Sequence, residues 1–108
     1  MSTQLERTEE QIEAVKQELM ALGSIRPGSI TRQYRRPKER KRPFYQISYT
    51  HRMRSRSEYV RPENLPVLRE ETANYKRFRK LVERWVALAL KASQMRVRQA
   101  NKMGSIQP

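Results

Sequence analysis

The chain has 108 residues, with 24 Lys or Arg against 11 acids, all of them Glu, and a formal net charge of +13. It has no Cys, no Asp and one His, His51, which excludes disulfides, thiolate chemistry and a zinc site built from Cys or from two His of one chain. Ser-His-Asp sets lack their third member, so enzyme chemistry is not expected, and so large a charge points to an acidic polymer or an anionic surface as partner.

No apolar run approaches the roughly 20 residues needed to span a bilayer. The opening Met1-Ser2-Thr3-Gln4-Leu5-Glu6 has neither the basic nor the apolar region of a secretory signal. The expectation is a cytoplasmic, nucleoid-associated protein with no membrane partner and no cofactor. The length suits one small domain over 1–98, with a flexible tail over 99–108.

In chain order, the first predicted element is a helix over 2–22. Leu5, Ile12 and Leu19 recur every seven residues, and Val15 and Leu22 take the complementary positions of the stripe. Thr3 and Glu6 match a capping box, and Gly23 stands where a glycine would end the helix. Five Glu against Arg7 and Lys16 make this helix acidic, which suits a brace rather than a polyanion-binding surface. An isolated helix of this length is marginal in water, so its stripe needs a partner, in the same chain or in a second copy.

After a turn centred on Pro27-Gly28, three strands are predicted over 29–60. Ile30, Arg32 and Tyr34 alternate with Thr31, Gln33 and Arg35, and Pro37 and Pro43 bracket an exposed basic loop over 36–43. Tyr45, Ile47 and Tyr49 then alternate with Gln46, Ser48 and Thr50. A connection at His51-Arg52-Met53 leads into the third strand, Arg54 to Val60. A long helix follows over 65–96, with Pro66 tolerated in its first turn. Its seven-residue stripe is read as Leu68, Tyr75, Phe78, Val82, Trp85, Ala89 and Ala92, flanked by Leu81, Leu88 and Met95. Leu5, Ile12, Val15, Leu19 and Leu22 are expected to meet Tyr75, Phe78, Val82 and Trp85. The fold class is therefore α+β: an N-terminal helix, a three-stranded antiparallel sheet, and a long C-terminal helix paired with the first as an antiparallel hairpin.

Charge is concentrated in the sheet. Between Ile30 and Arg61, eleven Lys or Arg face only Glu39 and Glu58, and five of the chain's eight aromatics are interleaved with them. A single Arg there would be solvated surface charge, but this density on a framework of aromatics is the footprint of a nucleic-acid-binding surface. Only one face of the sheet can be packed by helix. Ile30, Tyr34, Tyr45, Ile47, Tyr49 and Tyr59 are expected on the packed face, leaving Gln33, Arg35, Gln46, Ser48, Thr50, Arg54 and Arg56 on the open one. Adding the basic loop, the candidate nucleic-acid-binding residues are Arg32, Gln33, Arg35, Arg36, Lys38, Arg40, Lys41, Arg42, Phe44, Gln46, Arg52, Arg54 and Arg56.

The order of motifs is Gly28-Ser29-Ile30, Tyr34, Tyr45-Gln46-Ile47-Ser48-Tyr49, Tyr59-Val60 and Asn74-Tyr75-Lys76-Arg77-Phe78-Arg79-Lys80-Leu81-Val82-Glu83. Over residues 5–90 it resembles a family of short bacterial and archaeal proteins of unassigned function, often encoded near transposases and other mobile elements. Members of that family carry a Cys-rich knuckle after the first Tyr. Here the corresponding loop is Arg35-Arg36-Pro37-Lys38-Glu39-Arg40-Lys41-Arg42-Pro43, so any metal implied there is lost. The strand and helix order over 29–83 is also similar to the arm-type DNA-binding domains of tyrosine recombinases, whose sheet enters the major groove. Together these readings point to double-stranded DNA binding in a mobile-element or phage setting. The alternatives are a structured-RNA-binding accessory subunit and a coiled-coil interaction module, as a homodimer or on a mobile-element enzyme.

Overall fold

The computed structural model describes residues 3–36, 38 and 41–104, with residue 41 described by its backbone alone. Helix α1 (Gln4–Met20) is followed by strands β1 (Ser29–Arg36), β2 (Lys41–His51) and β3 (Arg54–Val60). A short 3-10 turn (Pro62–Asn64) then leads into helix α2 (Leu65–Gly104). The order is the expected α+β one. The chain divides into two compact units, Gly23–Arg77 and Met1–Leu22 with Phe78–Pro108, so that α2 contributes to both. Each unit has its own hydrophobic cluster.

In the helical unit, Thr3 caps α1 by accepting a hydrogen bond from the Glu6 amide at 3.1 Å. The helix ends at Met20, ahead of the Gly23 expected to end it. Right-handed Ala21 donates to the carbonyls of Gln17 and Glu18, and Leu22 donates to Leu19, which closes the last turn without a left-handed residue. Ile12 and Val15 are buried against Leu81, Leu88 and Ala92, with Leu5, Leu19, Leu22 and Trp85 packed around them. Glu9 pairs with Arg96 at 3.6 Å, and the Lys16 ammonium lies 5.3 Å from the Trp85 ring centroid. Early residues of α1 thus meet late residues of α2, and the pairing is antiparallel.

The seam on α2 differs from the expected one on one side. Phe78, Trp85 and Ala92 share its register, but the complementary positions are Leu81 and Leu88. Tyr75 and Val82 are half-buried and lie off this row. Both registers have heptad spacing, and the larger Leu side chains bury more apolar area than Val82 and Ala89 would. Thr8 is a further seam residue, buried between Leu5 and Ile12. Its hydroxyl is satisfied by the Gln4 carbonyl at 2.9 Å. The helix also runs past residue 96 to Gly104, through a stretch expected to be flexible, because nothing from Val97 to Met103 breaks a helix.

In the sheet unit the strands form an antiparallel meander in the order β1-β2-β3. Ile47 at the centre of β2 is fully buried, and Val60 and Leu65 complete the cluster with Ile30, Tyr45 and Leu68 packed on it. The first turns of α2 therefore cover one face of the sheet. The connection from α1 is held to α2 by the Arg26 amide donating to the Glu71 carbonyl at 3.0 Å and by Asn74 Nδ2 donating to the Ser24 carbonyl at 2.9 Å. Gly28 adopts φ 141°, and a Cβ there would lie 2.9 Å from Ile47 Cγ1 and 3.1 Å from the Ser48 carbonyl oxygen. Only glycine lets the chain enter the sheet this close to its core.

Candidate nucleic-acid interface

The strand register decides which candidate residues share a face. In β1 and β2, Gln33 lies opposite Phe44, Thr31 opposite Gln46, and Ser29 opposite Ser48. In β2 and β3, His51 lies opposite Arg54, Tyr49 opposite Arg56, and Gln46 opposite Tyr59. The connection between β2 and β3 is therefore only Arg52-Met53, not the three residues expected. A change of one residue in the connection turns a whole strand over. Arg54 and Arg56 consequently sit on the helix side of the sheet with Tyr45, Ile47 and Tyr49, not beside Gln46. Tyr59, expected in the core, is 60% exposed on the open face. Arg32 also faces the helix side, with its guanidinium 5.3 Å from the Tyr34 ring centroid.

Both residues of the tight connection have positive φ, Arg52 at 52° and Met53 at 65°. This is the double left-handed geometry of the hairpin turn that normally selects Asn-Gly, and it matches the right-handed twist of the strands. The absence of such a signal in Arg-Met made the register unreadable from local residues.

The open face is a neutral surface of hydroxyls and amides. Ser29, Thr31, Gln33, Phe44, Gln46, Ser48, Thr50, Ser55, Ser57 and Tyr59 line it. Ser48 and Ser57 share a hydrogen bond across the strands at 2.9 Å, as do Thr50 and Ser55. These pairs hold the face regular. Of the expected binding residues, it brings together Gln33, Phe44 and Gln46, and Arg35 alternates onto the same side from Gln33. Ser55, Ser57 and Tyr59 are the residues of β3 that sequence reasoning missed as members of this face. Only the paired register reveals them.

Cations gather at the two ends. At the β1–β2 end, β1 and β2 pair out to Arg36 opposite Lys41, so the basic loop is shorter than the expected 36–43. Pro43 is accommodated inside β2 because it lies beyond Tyr45, the last β2 residue paired with β3. Arg35, Arg36, Lys38 and Arg42 stand exposed at this end, Arg42 with φ 57°. Arg40 and the Lys41 side chain lie outside the described residues. At the β2–β3 end, Tyr49, His51, Arg52, Arg54 and Arg56 line a cleft on the helix side. With ten steps at about 3.4 Å, β2 separates the two ends by about 34 Å.

The helix side carries one buttressed cluster between these ends. Arg26 donates to Glu58 Oε2 at 2.8 Å and stands over the Tyr49 ring at 5.3 Å, while the Tyr49 hydroxyl donates to Glu58 Oε1 at 2.9 Å. The Arg26 guanidinium, and after it the Tyr49 hydroxyl, hold the Glu58 carboxyl below its ordinary range. Arg32 is set apart from Arg54 and Arg56. It lines a smaller groove of about 300 Å³ with Ile30, Tyr45, Arg69, Thr72 and Lys76. Among the described residues there is no group of His, Cys or Glu that could hold a metal ion, and no helix is long and apolar enough to cross a membrane.

The model of a domain of unknown function (DUF6788) matches residues 5–70. No curated protein and no solved structure matches the chain.

Proposed function

The chain belongs to the DUF6788 family, a domain of unknown function, and from its own surface we propose that it binds double-stranded DNA through the open face of the sheet. The observation that carries this reading is a neutral amide and hydroxyl face left uncovered by helix, with a cationic hairpin at its β1–β2 end. Gln33, Gln46, Thr31 and Ser57 have the donors and acceptors that read base edges, while Arg35, Arg36, Lys38 and Arg42 suit phosphates.

Dimensions favour a duplex of B form. Three strands spaced about 4.8 Å apart give a sheet about 10 Å wide between its outer strands, close to the roughly 12 Å width of the B-DNA major groove. The major groove of A-form RNA is too deep and narrow to be read by side chains. Association with a mobile element or phage belongs to the same proposal, as does the likeness to recombinase arm domains, in which a helix-backed sheet presents its free face to a groove.

Fluorescence anisotropy with duplex DNA, duplex RNA and single strands of one sequence tests the proposal. Duplex DNA is expected to bind most tightly. With six to ten phosphate contacts, affinity falls on the order of 10³–10⁵-fold between about 50 and 200 mM salt. Replacing Gln33 and Gln46 with Ala should erase preference among duplex sequences while leaving non-specific affinity. Replacing Arg40, Lys41 and Arg42 with Ala should weaken binding to every sequence alike. Salt-insensitive binding, or Gln variants with unchanged sequence preference, would sink the reading.

A second reading, a helical interaction module, is favoured by one observation. Val86, Leu90 and Val97 of α2 are exposed at helical spacing, outside the seam with α1. Mass measurement in solution on the chain and on Leu90→Glu tests it, and a monomer in both cases removes it.

A further inference from the structure

The cleft at the β2–β3 end lies on the opposite side of the sheet from the face proposed to read a duplex. One straight duplex on the open face leaves it unused. Its volume is about 620 Å³, within the range of sites that enclose a small organic ligand. Tyr49, His51, Arg52, Arg54 and Arg56 line it, so three guanidinium groups surround an aromatic wall and no carboxylate is among the lining residues.

The nearest acid in the strand pattern, Glu58, is already engaged. Its two oxygens accept from Arg26 and from the Tyr49 hydroxyl, and no ion pair among the described residues engages Arg52, Arg54 or Arg56. The same bonds fix the Tyr49 ring, with its hydroxyl tied to Glu58 and Arg26 standing over it at 5.3 Å. A fixed aromatic ring beside unpaired guanidiniums is the chemistry that holds a base by stacking and its phosphate by charge-assisted hydrogen bonds.

We propose that this cleft takes one unpaired nucleotide, with the base against Tyr49 and the phosphate on Arg52, Arg54 and Arg56. Two sources share that chemistry: a free nucleoside monophosphate, and an unpaired residue at the end of a nucleic-acid strand. The second rests on the nucleic-acid reading above and makes the protein a reader of duplex ends that carry an overhang. The first does not depend on it.

The experiment uses the full chain and measures affinity for a blunt duplex and for the same duplex with a short single-stranded overhang. dAMP and inorganic phosphate serve as competitors. The overhang is expected to raise affinity about tenfold, within the range for one base stacked on an aromatic ring. dAMP should abolish that increment, and inorganic phosphate at the same concentration should not. In the double variant Arg54→Ser, Arg56→Ser, whose positions are exposed, the ratio of overhang to blunt affinity should fall to about one. Tyrosine near-UV circular dichroism checks that its sheet is intact. Equal affinity of the native chain for both duplexes, without Arg54- and Arg56-dependent binding of dAMP, would overturn the proposal, as would a ratio that survives in the variant. Equal competition by inorganic phosphate would also overturn it, because the cleft would then recognise an anion alone. If the blunt duplex fails to bind while dAMP binds in an Arg54- and Arg56-dependent way, the duplex reading falls and this one stands.

Discussion

The tight turn between β2 and β3 can be tested by one substitution, Met53→Gly. The Met53 side chain is 99% exposed, so removing it costs no packing and the effect reports on the backbone alone. A left-handed conformation costs a non-glycine residue about 1–2 kcal/mol, and Met53 has φ 65°. Glycine relieves this but loses about 0.4–1 kcal/mol more chain entropy on folding. The net expectation is a gain of about 0.5–1 kcal/mol, or a rise of roughly 2–8 °C in midpoint for a unit of this size. All five tyrosines lie within Gly23–Arg77, whereas Trp85 lies in the helical unit. Thermal unfolding followed by tyrosine near-UV circular dichroism therefore reads the sheet. Met53→Val is the matched control, because a β-branched residue tolerates positive φ poorly, and it should lose about 1 kcal/mol. A midpoint that is unchanged or lower in Met53→Gly, or higher in Met53→Val, would refute the two-residue turn and with it the register that turns β3 over.

Three further outcomes are expected. Gly28→Ala should destabilise the sheet unit by more than about 1 kcal/mol, since its Cβ would meet Ile47 and the Ser48 carbonyl at positive φ; tyrosine-detected urea unfolding measures this. In the helical unit, Leu81→Ala should cost about 2–5 kcal/mol as read by Trp85 fluorescence, and Val82→Ala less than about 1 kcal/mol, which separates the observed seam from its neighbour. Glu58 has a lowered pKa in the folded state, so its contribution is full above its ordinary value of 4.5 and is lost as pH falls below that toward the folded value. Glu58→Gln should therefore flatten the acid limb of sheet stability, and an unchanged limb in a pH series of tyrosine-detected melts would contradict the Arg26–Glu58–Tyr49 cluster.

By itself the sequence determined the elements and their order. Heptad spacing from Leu5 to Leu22 marks α1, period-two alternation marks the strands, and a stretch free of helix breakers after Pro66 marks α2. Apolar periodicity is a local property, and each pattern can bury its stripe in only one kind of element. The crowding of Lys and Arg between Ile30 and Arg61 was legible for the same reason, since charge can be read without coordinates. What the tertiary structure alone decided is which face each side chain occupies. Strand β3 has the sequence Arg-Ser-Arg-Ser-Glu-Tyr-Val, in which either alternate set offers just one apolar residue, Tyr59 or Val60. Its pattern therefore has almost no preference for one face. Burial of Val60 against Ile47 and Leu65, together with a two-residue turn lacking an Asn-Gly signal, turns Arg54 and Arg56 toward the helix side. The heptad on α2 was ambiguous in the same way until α1 chose Leu81 and Leu88. Where local patterns are nearly degenerate, only the area buried against a distant partner separates the alternatives.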